Sequence, residues 1–123
     1  MLNRDIFARL QQATAGQPDV LAELCRDYLA EARTTVAQLR EAITKGDAAM
    51  VRDRAHYLKG SSMMLGAQEV SQSCATLEAM GRDSNLTEAE PEVEKVLFAL
   101  QRVETVLSEV VGPAALPAEG SAA

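Results

Sequence analysis

Apolar residues recur along this chain at spacings of three and four, in five blocks separated by turn-forming residues. That period belongs to one face of a helix, whereas a half-buried strand would alternate in steps of two. A short amphipathic segment, Asp5 to Gln12, comes first and is followed by the turn signal Ala15-Gly16-Gln17-Pro18. Pro18 suits the first position of a helix, where a missing N–H costs nothing. The stripe Leu21, Leu24, Tyr28, Ala32, Val36, Leu39 and Ile43 then predicts a long helix that Lys45-Gly46 stops.

Asp47 is placed to cap the next helix, whose buried stripe reads Ala48, Val51, Ala55, Leu58, Ser62 and Leu65 up to Gly66. A third long segment, from Ala67, carries Val70, Cys74 and Leu77 and ends at Gly81 before the polar loop Arg82-Asp83-Ser84-Asn85. Thr87 and Glu90 have the spacing of a capping box. The last stripe, Val93, Val96, Leu100, Val103, Leu107 and Val110, runs to Gly112-Pro113. Valine lowers helix propensity, but the period here is helical.

Long helices joined by short loops run antiparallel to their neighbours. The pattern therefore predicts an all-α fold, an antiparallel up-down four-helix bundle with a short extra N-terminal helix. Residues 1–113 form the bundle domain in this reading. Residues 114–123, rich in Ala, Pro and Gly without an apolar period, are expected to be a flexible C-terminal tail.

Composition narrows the function classes. A chain of 123 residues has the size of one domain, and 47% hydrophobic with 24% charged residues is a folding mixture. The 3% aromatic content, without Trp, favours a helical core of Leu, Val, Ala and Met. A net charge of -6 argues against nucleic-acid binding, which needs clustered Lys and Arg, and directs attention to protein partners. No apolar run has the length of a membrane helix, and Met1-Leu2-Asn3-Arg4-Asp5 lacks the layout of a signal peptide, so no membrane contact and a cytoplasmic location are expected. Cys25 and Cys74 fall on predicted buried stripes, where reduced thiols act as small hydrophobes.

The chain has one histidine, His56. At about 100° of rotation per residue, Ala55, Leu58, Ser62 and Leu65 lie within roughly 40° of Val51, while His56 falls near 140° and faces outward. Arg52, Lys59, Gly60 and Met63 share its surface. Lys59, one turn on, brings a mobile positive charge within reach of an anion on the imidazole. Gly60 costs roughly 1 kcal/mol inside a helix relative to alanine, and its use is steric: it lets another backbone approach the ring. Ser62 lies in the buried stripe, where its hydroxyl is able to bond back to a carbonyl one turn earlier. Singly, each residue has a plainer reading as a surface histidine, a solvated lysine, a packing glycine or gap-filling methionines. Their conjunction on one face is what points to chemistry.

The run Ala55-His56-Tyr57-Leu58-Lys59-Gly60-Ser61-Ser62, followed by Leu65-Gly66-Ala67, resembles the signature of the histidine-containing phosphotransfer (HPt) domain family. Gly46-Asp47, Val70, Cys74 and Leu77-Glu78 fit the same pattern, as do Asp19-Val20-Leu21 and Tyr28, where the family often has Phe. The likeness covers roughly residues 5 to 82. It implies a stand-alone phosphorelay intermediate of two-component signalling, with His56 as the phosphorylated residue, Lys59 as its electrostatic partner and Gly60 as clearance for a partner. That partner would be the receiver domain of a response regulator, exchanging the phosphoryl group through its aspartate and supplying the Mg²⁺, with a hybrid sensor histidine kinase upstream. Arg52, Met63 and Met64 are expected rim contacts. The protein itself is expected to be a monomer without cofactor or metal site, and a phosphocarrier rather than an enzyme, since no GxxxxGK[ST] loop supports autonomous kinase activity.

The alternative is a helical interaction module, an adaptor or antagonist of signalling proteins that does no covalent chemistry. A hydrolytic or metal enzyme ranks last, because one histidine cannot furnish the usual multi-histidine ligand sets and the glutamates are spread over polar helix faces.

Overall fold

Stops and caps anticipated from the sequence delimit the second and third helices. The structure, a computed structural model, describes residues 2–112, so the tail expected at 114–123 and the outer edges of the 1–113 domain lie outside the described residues. Among them are α1 (Arg4–Ala13), α2 (Pro18–Lys45), α3 (Ala48–Leu65), α4 (Gln68–Arg82) and α5 (Ala89–Val111). Pro18 opens α2, and Gly46 closes it in the left-handed region at φ 69°. Asp47 accepts the Met50 amide at 3.1 Å and so caps α3, which ends at Gly66 with φ 86°. L side chains avoid such φ values, which is why glycine stands at both stops.

Two boundaries differ from expectation. α4 runs through Gly81 to Arg82, because Gly81 is buried against α3 and continues the helix. The capping box at Thr87 does not form. Asn85 Oδ1 accepts both the Thr87 hydroxyl, at 2.8 Å, and the Thr87 amide, at 3.3 Å. That local turn occupies the threonine, and α5 begins at Ala89 without a side-chain cap.

α2 packs on α3 and α5, α4 packs on α3 and α5, and α1 rests on α3. Cross-helix pairs give the directions. Tyr28 meets Ser62 and Glu31 meets Tyr57, while Arg33 meets Glu104 and Arg40 meets Glu94, so α2 runs opposite to both α3 and α5. Leu29, Leu39, Leu58, Leu77, Leu107 and several valines are fully buried between the helices. Each such side chain contributes about 1.5–3 kcal/mol relative to exposure. Cys25 and Cys74 are buried free thiols.

Four apolar positions leave the predicted stripes, among them Ala48 in the first turn of α3, which is only half-buried. Leu24 is 43% exposed, because it lies about 80° around α2 from buried Ala32 while Cys25 takes the inward place. Ile43, near the end of α2, is only partly buried, and Val110 in the last turn of α5 borders an open cleft with Leu2 and Phe7. The Ser62 hydroxyl does not bond back along its own helix. It pairs at 2.7 Å with the buried Tyr28 hydroxyl, which burial pushes far above its usual pKa, and Ser61 makes the back-bond instead, to the Leu58 carbonyl at 3.2 Å.

Candidate functional site

α3 buries Val51, Ala55, Leu58, Ser62 and Leu65, and this fixes what its other face presents. His56 stands outward with its side chain 68% exposed, as its angular position requires. Its only side-chain partner among the described contacts comes from the neighbouring helix: Glu78 of α4 places Oε2 at 2.9 Å from Nδ1. The other oxygen of the same carboxylate, Oε1, accepts from Lys59 Nζ at 2.6 Å. Glu78 thus bridges the imidazole and the ammonium, and its own side chain is only 15% exposed.

Lys59 was expected as a mobile charge, and here it is held. Its first partner is Glu78, and its side chain is mostly covered. The hydrogen-bonded ammonium holds the Glu78 carboxyl below its ordinary pKa, against the opposing effect of burial and with help from His56. An ionised carboxylate has acceptors alone, so Nδ1 must be the donor in this contact. In the neutral ring the lone pair then resides on Nε2.

The remaining expected residues divide. Gly60 lies one turn beyond His56, and a Cβ built there would meet nothing within 4 Å, so no packing contact inside the protein calls for glycine. Arg52, one turn before His56, directs Nε to Asp53 Oδ1 at 3.0 Å. Met63 and Met64 are exposed but part company. Met63 borders a shallow cavity with Ile6 and Gln72, whereas Met64 lines a groove of about 290 Å³ with Leu10, Leu24 and Tyr28.

Glu78 is the residue that reading the sequence for chemistry passed over. Glutamates on helices are usually solvated charges, and its partners lie 19 and 22 residues away on another helix. The available signal was its place directly after Leu77, at the flank of the buried α4 stripe.

No group of three or more His, Cys, Asp or Glu side chains is arranged to hold a metal ion among the described residues, and no helix among them is long and apolar enough to cross a membrane. None of the curated proteins shows significant similarity to the chain. Among solved structures, the chain is similar to histidine-containing phosphotransfer protein B (HptB) from Pseudomonas aeruginosa PAO1, at 24% sequence identity and a TM-score of 0.81, over 89% of this chain and 93% of that one. That likeness is one of fold. The family model of the Hpt domain matches residues 23–111, most of the chain and all of α3 and α4. The chain therefore belongs to the Hpt domain family, the histidine phosphotransfer proteins of phosphorelay signalling.

Proposed function

We propose that His56 accepts and donates the phosphoryl group, exchanging it with the aspartate of a response-regulator receiver domain. The observation that carries this reading is an exposed imidazole with Nδ1 engaged by Glu78, which leaves Nε2 as the free base. A neutral imidazole nitrogen is a nucleophile near pH 7 and leaves readily once phosphorylated, so transfer runs in both directions. Lys59, one turn from His56 on a flexible stem, supports the charge of the phosphoryl group. The open space at Gly60 admits the partner's backbone to the ring. Arg52, Met63 and Met64 form the rim of the contact, and the receiver contributes the Mg²⁺.

In this reading the protein is a cytoplasmic monomer, a phosphocarrier without autonomous kinase activity, loaded in a relay that begins at a hybrid sensor histidine kinase. Its architecture is an antiparallel up-down four-helix bundle of α2 to α5 with α1 as an extra N-terminal helix, within a domain of residues 1–113. The ring of helix contacts and the opposed cross-helix pairs support that description.

The test is phosphotransfer profiling against receiver domains charged with acetyl phosphate in Mg²⁺. The expected result is an acid-labile, base-stable label on the wild-type chain and none on His56→Ala, with unchanged helicity because an outward side chain contributes little to packing. A wild-type chain that takes no label from any receiver would leave the helical adaptor as the function.

A further inference from the structure

We infer that Tyr57 is a specificity-determining residue for the transfer: its ring, braced beside His56 by Glu31 and Arg54, selects receiver domains that bring a basic side chain to the Tyr57–Glu31 edge. This deepens the proposed function and rests on a receiver domain being the partner of His56.

The two flanks of His56 differ. Toward α4 stand Lys59 and Glu78, already joined to each other. Toward α2 stands Tyr57, which follows His56 and lies about 100° further around α3. Its hydroxyl donates to Glu31 Oε1 of α2 at 3.1 Å, and that bond pushes the phenol above its ordinary pKa and keeps it a donor. Arg54, one turn earlier on α3, sets its guanidinium 5.5 Å from the ring centroid. The ring is thus held at its rim and on one face, yet Tyr57 remains 45% exposed. An aromatic side chain fixed in advance loses little freedom when a partner covers it, so more of the contact energy is left for binding.

Charge sets what the partner must bring. Glu31 also borders the groove of about 290 Å³ whose apolar lining includes Leu10, Leu24 and Met64. Asp27 and Glu31 are its charged lining residues, one turn apart on α2, and no Lys or Arg lines it among the described residues. Like charges at that spacing destabilise a helix, so a cation delivered from outside relieves a cost already present. A lysine or arginine of the receiver lays its apolar stem along the groove, sets its head on the ring face turned away from Arg54 and pairs with Glu31. An acidic side chain in the same place meets two carboxylates and the electron-rich ring face. Selection therefore works by rejection as well as by attraction.

The experiment compares wild type, Tyr57→Ala, Tyr57→Phe and Glu31→Lys against a panel of charged receiver domains in Mg²⁺, reading the half-saturating receiver concentration and the maximal transfer rate separately. For receivers that serve the wild type, Tyr57→Ala is expected to raise half-saturation by about tenfold to a hundredfold, as loss of an aromatic anchor does. The maximal rate should stay within about twofold, because the ring binds the partner and does not touch the reacting atoms. Tyr57→Phe keeps the ring but loses the Glu31 brace, and a smaller rise is expected. Basic surface residues of the preferred receiver are then changed to Glu one at a time. One such receiver should lose transfer with the wild type and regain it with Glu31→Lys. Circular dichroism reads the fold, and Tyr57→Phe and the charge exchange carry the test where Tyr57→Ala unfolds. Unchanged half-saturation in the folded Tyr57 variants, a loss confined to the maximal rate, or no charge exchange that restores transfer would overturn the inference. A wild-type chain that takes no label from any receiver would overturn the proposed function itself.

Discussion

Gly81 lies against the backbone of Arg52, so close that a Cβ at position 81 would stand 2.6 Å from the Arg52 amide nitrogen, and also 2.6 Å from the Ala48 carbonyl oxygen. Here α4 approaches the α3 backbone closely. This approach falls one turn beyond Glu78 on α4 and one turn before His56 on α3, so the missing side chain sets the separation that the 2.9 Å contact between those residues requires. Both obstructing atoms are backbone and cannot rotate away. Gly81→Ala is therefore expected to destabilise the protein by about 1–3 kcal/mol through overpacking, despite alanine's better helix propensity. Denaturant unfolding measures it, and a stabilised variant would show that the two helices part freely at this point.

Gly60 makes the opposite case. Nothing within 4 Å would oppose a side chain there, so Gly60→Gln should gain up to about 1 kcal/mol of helix stability. The same glutamine would stand beside the imidazole and obstruct a docking backbone. A raised Tm together with slower phosphotransfer is the expected pair of results. Transfer at the wild-type rate would remove the clearance role.

The buried hydroxyl pair of Tyr28 and Ser62, 2.7 Å apart, joins α2 to the active helix. Tyr28→Phe leaves Ser62 without that partner in a fully buried site and should cost about 1–3 kcal/mol. Adding Ser62→Ala removes the orphaned hydroxyl. The double variant is then expected to recover part of the loss, which a double-mutant cycle of unfolding free energies reads directly.

Acid should weaken the fold through carboxylates that are stabilised in the native state. The Arg102 guanidinium that hydrogen-bonds Glu69 holds its carboxyl down at about 2, from an ordinary 4.5. Lys59 lowers that of Glu78. A depressed carboxyl contributes its stability fully above the unfolded-state value and loses it as pH falls through the folded one. Unfolding free energy should thus decline from near pH 4.5 downward, toward about 2 in the case of Glu69. Glu69→Gln should flatten that decline, though modestly, because the pair is partly solvated.

Helices and their stops were legible in the sequence because their causes are local. Asp47 caps α3 through an amide three residues on, and Gly46 and Gly66 sit where the backbone turns left-handed. The outward placement of His56 follows from residues within two turns of it. Glu78 was not legible as part of the site, because its role arises only when α4 lies against α3 at the distance Gly81 permits. The same is true of Lys59, whose charge was expected to be mobile and is instead committed to a partner on another helix. Thr87 was misread through a competition between two local bonds, in which Asn85 outbid the helix end. Leu24 has the right spacing for the core yet borders an open groove, since a stripe on a 28-residue helix does not say how far its neighbours reach.

The central claim is that His56 carries the phosphoryl group on Nε2. The most direct measurement is ³¹P and ¹⁵N NMR of the chain loaded by a charged receiver, with ¹⁵N in the histidine ring. Since His56 is the one histidine, a phosphorus coupling has two possible ring nitrogens to report. The account predicts coupling to Nε2 with a proton retained on Nδ1. Coupling to Nδ1, or phosphorus bound to any other side chain, would contradict it.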